Sequence, residues 1–257
     1  MIFPDGQCNE TELLLTIPEV ATYLIRTGSE ILVDQAPASN FGDVCAYLLG
    51  TVFGVLCHQR GITPLHASAI DVADGCVAFV GDSGTGKSTL VAALAARGHQ
   101  IIADDVCFLQ PSEQGQVRVW PGINRLRLWE DAMKALGYDG PRAEREFREY
   151  NKYLIPQHAP QNPSKPRQLK RVYQLEPAPD DERASVHRLR GAAVVEVLIQ
   201  NIYRLGLAEH MGRKANAFVV CAAVAQDVPI FRFSRPLGFH ALDETVNSLE
   251  NHLHDFR

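Results

Sequence analysis

The sequence lacks a C-x-x-C pair, a strong excess of either charge, an internal repeat and the basic, apolar N-terminus of a signal peptide. Its six cysteines are widely scattered, so they indicate neither a zinc site nor a disulfide framework. A net charge of −5 excludes a general affinity for nucleic acid or for anionic membranes. No uninterrupted apolar run approaches the roughly 20 residues of a membrane span. These absences predict a reduced, cytoplasmic protein that binds neither nucleic acid nor membrane.

The chain does contain enough apolar residues for one folded unit. Its 257 residues are 46% hydrophobic, which suits one α/β domain with a modest attachment. We predict a single domain over residues 1–257, in which residues 1–60 contribute strands and a helix packed on the rest. Residues 111–170 are predicted to be irregular, and their proline-rich part, 156–166, is either a solvated loop or a mobile lid.

Hydrophobic periodicity places the elements along the chain. Alternating and continuous apolar runs predict strands at 21–26, 30–34, 64–70, 76–80, 100–106, 171–175, 217–223 and 229–233. Stripes of helical spacing predict helices at 41–60, 87–97, 129–136, 192–203 and 242–253. The strand, helix and strand over 76–106 predict a right-handed βαβ unit with neighbouring parallel strands.

One glycine-rich segment carries the strongest chemical signal. It reads Gly81-Asp82-Ser83-Gly84-Thr85-Gly86-Lys87-Ser88-Thr89, between an apolar run and an alanine-rich run. This is the spacing G-x-x-x-x-G-K-[ST] of a phosphate-binding loop. Glycines let backbone N–H groups converge on phosphate oxygens, and the following helix points its positive end at the same anion. The segment predicts a nucleoside triphosphate site in which Lys87 reaches the β- and γ-phosphates and Ser88 binds Mg²⁺.

Two further features stand near this loop in the expected fold. Asp104 and Asp105 end the apolar run 101–103, where a parallel strand delivers side chains into the ligand crevice. One carboxylate could hold Mg²⁺ and the other could deprotonate a hydroxyl, unless the pair is a solvated acidic turn. His66 lies in a strand expected to neighbour the strand before the loop. A lone histidine in a strand is more often a core residue than a catalytic one, so both interpretations stay open.

Together these segments resemble the HPr kinase/phosphorylase superfamily. The resemblance rests on Leu65-His66-Ala67-Ser68, the phosphate loop and Arg97-Gly98-His99-Gln100-Ile101-Ile102-Ala103-Asp104-Asp105. It implies an α/β fold, a phosphate-loop kinase core of the HPr kinase and phosphoenolpyruvate-carboxykinase type, with a mixed sheet and flanking helices. It also implies Asp104 as the base facing the acceptor hydroxyl and Asp105 near Mg²⁺ and His66. The assignment between the two aspartates stays open.

The departures from HPr kinases bear on the substrate. Where those enzymes carry M-E-[VI]-R-G-L-G, this chain has His187-Arg188-Leu189-Arg190-Gly191-Ala192-Ala193 and keeps only the Arg-Gly pair. The segments Arg60-Gly61-Ile62-Thr63-Pro64-Leu65-His66-Ala67-Ser68-Ala69 and Trp120-Pro121-Gly122 with Leu126-Arg127-Leu128-Trp129 are more similar to short HPr-kinase-related proteins of ribosomal-peptide gene clusters, among them lasso-peptide tailoring kinases. These phosphorylate the C-terminal serine of a precursor peptide. The resemblance therefore implies an ATP- and Mg²⁺-dependent serine kinase whose partner is a peptide or protein.

Several alternatives remain open from the sequence. The acceptor could instead be an HPr-type protein or a small hydroxylated metabolite, and the donor could be GTP or a diphosphate. A nucleotide-sensing module that transfers nothing is an alternative of another class, which the aspartate pair opposes. Related kinases assemble into oligomers, so a homo-oligomer is a further open expectation.

A second cation is expected to stabilise the γ-phosphoryl group. Arg190 is the preferred candidate because it matches the Arg-Gly of the family signature. The other candidates are Arg125, Arg127, Lys152 and Arg188. Lys152 could also bind the carboxylate of an acceptor peptide. Trp120 and Trp129 are either an aromatic wall for a ligand or half-buried core.

Overall fold

The structure is a computed structural model that describes residues 2–3, 6–123, 125–138, 144–145, 151–156 and 165–255. The proline-rich segment 156–166, predicted to be a loop or a lid, lies largely outside the described residues. Whether residues 1–257 form one domain stays a prediction.

Runs of strands are separated by one or more helices along the described chain. The strands are β1 (Ile2–Phe3), β2 (Gly6–Cys8), β3 (Glu12–Ile17), β4 (Ala21–Arg26), β5 (Glu30–Gln35), β6 (Thr63–Leu65), β7 (Ala67–Val72), β8 (Gly75–Val80), β9 (Ile101–Ala103), β10 (Cys107–Pro111), β11 (Val117–Trp120), β12 (Arg125–Trp129), β13 (Glu144–Arg145), β14 (Lys152–Pro156), β15 (Arg167–Pro177), β16 (Ser185–Arg188) and β17 (Ile230–Arg235). The α-helices are α1 (Phe41–Tyr47), α2 (Phe53–Gln59), α3 (Lys87–Ala96), α4 (Glu130–Ala135), α5 (Ala192–Gln200), α6 (Leu205–His210), α7 (Lys214–Asp227) and α8 (Leu242–His254). A π-helical turn, Leu48–Val52, joins α1 to α2, and a 3₁₀ turn, Phe239–Ala241, precedes α8.

The central sheet has nine strands and is mixed. Its order is β6-β10-β11-β15-β8-β7-β9, with β17 beside β15 and β16 beside β17. The pairs β8–β15 and β15–β17 are parallel, and the other pairs are antiparallel. Every residue of β8 is buried because helices cover both faces of the sheet. The predicted α/β class, a mixed sheet with flanking helices, is confirmed.

The two faces of this sheet pack into separate cores. Alternate residues of β8 point to opposite faces, as the pleat of a strand requires. Cys76, Ala78 and Val80 pack with residues of α5 and α7. Val77 and Phe79 pack on the other side with residues of α3, α4 and α8.

The first 60 residues form a layer of their own. Strands β1 to β5 make an antiparallel sheet in sequence order. Its inward side chains, Leu13, Tyr23 and Ile25 among them, pack on the segment 41–59 and on Met211. This contact with Met211 joins the layer to the helices of the central sheet.

The segment Phe41–Gln59 bears on the expectation that no apolar run approaches the length of a membrane span. It is 19 residues long with a mean hydropathy of 1.5, which is long and apolar enough to cross a membrane. The same criteria are met by packed core helices, and 56% of this stretch is buried inside the structure. Val44, Val52 and Val55 provide much of that buried surface against the first sheet.

Two other predictions about elements are wrong. The predicted strand 64–70 is broken at His66 into β6 and β7, which pair with different neighbours. Strands β8 and β9 do run in the same direction, but β7 lies between them and is antiparallel to both. The expected βαβ unit of adjacent strands is therefore split by a strand that precedes it in sequence.

The predicted strand 217–223 is also wrong, because it lies inside α7. Its continuous apolar run resembles a buried strand. The buried residues are Ala217, Val220, Cys221 and Val224, which have the i, i+3, i+4, i+7 spacing of a helical stripe. The spacing, rather than the apolar run, carried the correct signal.

A charged cluster ties the end of α3 to α8. Arg97 Nη1 and His99 Nε2 lie 2.9 and 3.0 Å from the two carboxylate oxygens of Glu250. Burial alone would raise the pKa of Glu250, but the hydrogen bonds from His99 and Arg97 outweigh it and lower that pKa. The ionised carboxylate therefore stabilises the folded state at neutral pH, and this contribution is lost as the pH falls through the lowered pKa.

We expect Glu250→Gln to lower the free energy of unfolding by about 1 kcal/mol at pH 7. Urea titrations at pH 7 and at a pH below the ordinary range of a glutamate should show the difference shrink in acid. Glu244→Gln is the matched control, because Glu244 is exposed and its ion pair with the exposed Arg183 is long, at 3.8 Å. An equal loss of stability at both pH values would contradict the assignment.

Candidate active site

The sheet brings the sequence-predicted residues to one edge. Ala67 pairs with Val80, so His66 lies beside Gly81 at the start of the phosphate loop. Ala69 pairs with Ala103, so the aspartates that follow β9 come to the same edge. The parallel strands β8, β15 and β17 also end there. This edge is where open α/β sheets bind ligands.

The loop between β8 and α3 has the backbone that its glycines permit. Gly81, Gly84 and Gly86 have φ values of 140°, 89° and 80°, which side-chain-bearing residues rarely adopt. Lys87 Nζ donates to the carbonyl oxygens of Gly81 at 2.7 Å and Asp82 at 3.0 Å. Burial lowers the pKa of Lys87 to about 8, although the carboxylates of Asp105 and Asp104 oppose that shift. The lysine is thus held within the loop beside two acidic side chains.

The side chain of Asp104 accepts hydrogen bonds from three groups of the site. Its Oδ1 accepts hydrogen bonds from Ser68 Oγ at 2.6 Å and from Ser88 Oγ at 2.9 Å. Its Oδ2 accepts one from the backbone N–H of Arg127 at 2.8 Å. The sequence-based assignment paired Ser88 with Asp105 as the metal-binding residues. The structure instead places the loop serine against Asp104, because Asp104 directly continues β9 towards α3.

Asp105 faces a different set of groups. Its φ of 74° is in the left-handed region, which is costly for a residue with a side chain and turns the chain sharply after Asp104. Arg127 Nη1 donates to its Oδ2, and His66 Nδ1 lies 3.7 Å from its Oδ1. Burial opposes ionisation, but Arg127, His66, Lys152 and Lys87 outweigh it and lower the pKa of Asp105. Asp105 is therefore a partly buried, ionised carboxylate.

His66 supports Asp105 from the break between β6 and β7. Its Nδ1 lies 3.0 Å from the carbonyl oxygen of Asp105, which can only accept, so Nδ1 carries a proton. Burial and the charge of Lys87 lower the pKa of His66 against the opposing effect of Asp105. The imidazole is then neutral at pH 7, and Nε2 carries its lone pair. The structure places this histidine at the site, outside the strand in which the sequence put it.

Two residues at the loop were not found from the sequence. The side-chain amide oxygen of Asn201 accepts from the N–H of Gly81 at 2.9 Å, and its backbone carbonyl accepts from the N–H of His66 at 2.7 Å. Arg235 ends β17 and donates to the carbonyls of Thr85 and Gly86. Arg235 follows a predicted strand, so its position at a strand end could have indicated it. Asn201 follows a helix and carries no comparable signal.

The structure does not bring Arg190 to this edge. Arg188 pairs with Phe231 in the antiparallel pair β16–β17, and Arg190 follows it away from the end of β17 at Arg235. Four residues of strand span about 13 Å, so Arg190 lies near the opposite edge of the sheet. It lines a separate cavity there with Arg188 and Gly191. Arg190, the preferred candidate for the second cation, therefore lies away from the phosphate loop, whereas the candidate Arg127 contacts Asp105.

A cavity of about 310 Å³ opens onto the loop. Its lining includes the polar or aromatic residues His66, Asp105, Arg127, Trp129, Lys152 and Arg235 and the apolar residues Leu237, Phe239 and Leu242. The ring of Trp129 is 46% exposed, and Lys152 Nζ lies 5.9 Å from its centroid. Trp120 lies elsewhere and donates to Gln110. A larger cavity of about 690 Å³ surrounds Glu250, but it contains no residue of the phosphate loop.

The residues at this edge fit a magnesium ion bound together with phosphates. No cluster of three or more His, Cys, Asp or Glu side chains that could hold a metal occurs among the residues that the structure describes. Mg²⁺ needs fewer protein ligands, since it commonly uses one or two carboxylates with phosphate oxygens and water. Asp104 and Ser88 supply a carboxylate and a hydroxyl in direct contact. These are the oxygen donors that a magnesium–nucleotide complex requires.

Comparisons with known proteins give similarities to solved structures but no matching family model. No protein-family model matches the sequence. Among solved structures, the chain is similar to the Hpr(Ser) kinase/phosphatase from Coxiella burnetii, with 16% sequence identity and a TM-score of 0.38. The similarity covers 75% of this chain and 92% of that chain.

Proposed function

We propose that the protein is an ATP- and Mg²⁺-dependent kinase that transfers the γ-phosphoryl group to a serine hydroxyl of a peptide. The observation that carries this proposal is that two adjacent carboxylates contact different groups. Asp104 contacts Ser88 of the phosphate loop, and Asp105 lies in the cavity beside His66 and Arg127. A protein that only binds a nucleotide has no need for the second carboxylate.

The phosphate loop and Asp104 form the donor half of the proposed site. The N–H groups of residues 84–88 and the charge of Lys87 bind the phosphates. Ser88 and Asp104 would hold Mg²⁺, which neutralises charge on the β- and γ-phosphates. This assigns the metal to Asp104 and exchanges the roles that the sequence resemblance implied for the two aspartates.

Asp105 is the base in this proposal. Its carboxylate takes the proton of the serine hydroxyl as the serine oxygen bonds to the γ-phosphorus. The bond from that phosphorus to the β–γ bridging oxygen breaks, and ADP leaves with the electron pair. His66 orients Asp105 through the backbone carbonyl, and Arg127 keeps the carboxylate ionised. A carboxylate that is ionised at neutral pH is ready to accept the proton late in the transfer.

The acceptor is proposed to be the C-terminal serine of a ribosomally made precursor peptide, as in lasso-peptide tailoring. Trp129 and Lys152 form a cross-strand pair of β12 and β14, and both line the cavity together with Asp105. An exposed aromatic ring and an ammonium group suit a peptide that ends in a carboxylate. No disulfide joins any two of the six cysteines in the part of the chain that the structure describes, which supports a reducing compartment such as the cytoplasm.

The test is transfer of labelled γ-phosphate from ATP to peptides encoded beside the gene, followed by mass spectrometry. We expect one added phosphoryl group on the C-terminal serine. Amidation of the C-terminus should lower kcat/KM about tenfold or more, because a charge-assisted contact with Lys152 is lost. Lys152→Met should remove this preference, whereas Lys170→Met should keep it, since Lys170 pairs with Asp74 outside the cavity.

Each other outcome points to a different function. Equal rates with the acid and the amide would overturn the C-terminal acceptor. Transfer only to an HPr-type protein or to a small hydroxylated metabolite would retain the kinase and change its substrate. Tight binding of Mg²⁺-ATP with no transfer to any hydroxyl would identify a nucleotide-sensing module.

A further inference from the structure

We propose that Arg235 is a positioning residue: it holds carbonyl groups of the loop so that the loop N–H groups point towards the phosphates. The inference rests on the proposed function, because it assumes that the loop binds a nucleotide. Arg235 is the last residue of β17 and is 2% exposed. Its Nη2 donates to the carbonyl oxygens of Thr85 at 2.8 Å and Gly86 at 3.2 Å.

The partners of Arg235 are carbonyl groups rather than an acid. Nη1 donates to the carbonyl of Pro236 at 3.2 Å, and Nε has no hydrogen-bond partner among the residues that the structure describes. No carboxylate lies within ion-pair distance of Arg235 among the described residues, whereas most buried arginines are paired with one. Burial lowers its pKa to about 10, which leaves the guanidinium charged at pH 7. A phosphate bound at the loop would place negative charge near this buried guanidinium.

Peptide geometry connects these carbonyls to the ligand. In a planar trans peptide the C=O and the next N–H point in opposite directions. Holding the carbonyls of Thr85 and Gly86 towards Arg235 therefore directs the N–H groups of Gly86 and Lys87 the other way. These amides stand at the start of α3, where a helix binds phosphate. Arg235 thus fixes the orientation of the donors and adds a positive charge behind them.

The close approach also accounts for the glycine at position 86. A Cβ built on Gly86 would lie 2.5 Å from Nη2 of Arg235, closer than non-bonded atoms approach. The φ of 80° at Gly86 independently disfavours a side chain. The final glycine of the loop therefore serves the contact with Arg235 as well as the turn.

Arg235→Gln and Arg235→Lys test the inference, with Arg232→Gln as the control. Arg232 lies on the same strand, is about half exposed and pairs with Glu176 at 3.2 Å. Equilibrium binding of fluorescent ATP and ADP analogues with Mg²⁺ is measured well below the melting temperature of each variant. We expect Arg235→Gln to raise both Kd values at least tenfold. Arg235→Lys should raise them less, because lysine keeps the positive charge but loses the planar set of N–H donors of the guanidinium. Arg232→Gln should stay within twofold of wild type.

The two proposals fail in distinguishable ways. If the wild-type protein binds no Mg²⁺-nucleotide, the proposed function is wrong. If the wild type binds it and both Arg235 variants bind as tightly as Arg232→Gln, the positioning role is wrong. If Arg235→Gln does not fold, Arg235→Lys decides, since it is expected to fold and still to bind the nucleotide several-fold more weakly. A lowered melting temperature with unchanged Kd values would make Arg235 purely structural and overturn the inference.

Discussion

Asp105→Asn is expected to lower the rate of phosphoryl transfer by about 10²–10⁴-fold, the range that loss of a general base produces. Asparagine has the same shape as aspartate but cannot take the proton of the acceptor hydroxyl. Nucleotide binding should change little, since Asp105 contacts Arg127 and His66 rather than the loop. Single-turnover transfer from labelled ATP, with the Kd of Mg²⁺-ATP measured in parallel, separates the two effects.

Asp131→Asn is the matched control for this experiment. Asp131 lines the same cavity, but its Oδ1 accepts from the N–H of Ala132 within its own helix. We expect transfer by this variant within about threefold of wild type, as for an exposed polar change. Full transfer by Asp105→Asn would show that Asp105 is not the base. If Asp104→Asn then lost transfer at saturating Mg²⁺, the assignment implied by the sequence resemblance would be restored.

The phosphate loop was predictable because its function depends on local backbone. The motif has to follow a strand and start a helix. Its glycines, Lys87 and Ser88 all lie in one short continuous segment, so the sequence shows the whole motif. The aspartate pair was also predictable as a feature of a strand end. Which aspartate meets Ser88 was not, because it depends on the turn at Asp105 and on the insertion of β7 between β8 and β9.

The residues that came from distant segments could not be found in this way. Asn201 and Arg235 reach the loop only because helix α5 and strand β17 end beside it. The Arg-Gly match to the family signature indicated Arg190, but β16 runs away from the phosphate loop and carries Arg190 towards the opposite edge of the sheet. To predict which distant side chains reach the site, the order of the strands in the sheet must be known. A single sequence gives little information about that order.

Asp104→Asn is expected to raise the Mg²⁺ concentration needed for half-maximal transfer by at least about tenfold, as loss of a charged ligand does. One oxygen of Asp104 accepts from both Ser68 and Ser88, so it lies against the hydroxyl proposed to bind the metal. Removing the charge weakens the attraction for a divalent cation but leaves Asp105 in place. Transfer should therefore recover substantially at high Mg²⁺, in contrast to Asp105→Asn. Rates measured over a series of Mg²⁺ concentrations at constant ATP test this difference.

Ser68→Ala provides the control for structural damage near Asp104. It removes one hydrogen bond to the same carboxylate oxygen and leaves both the charge and Ser88 unchanged. Its unfolding free energy should fall by about 1 kcal/mol, the net contribution of one hydrogen bond. Its Mg²⁺ requirement should stay near that of wild type, because the carboxylate and hydroxyl pair is intact. If Ser68→Ala and Asp104→Asn shifted the Mg²⁺ requirement equally, the effect would come from disturbed packing at the end of β9, and Asp104 would not be the metal-binding carboxylate.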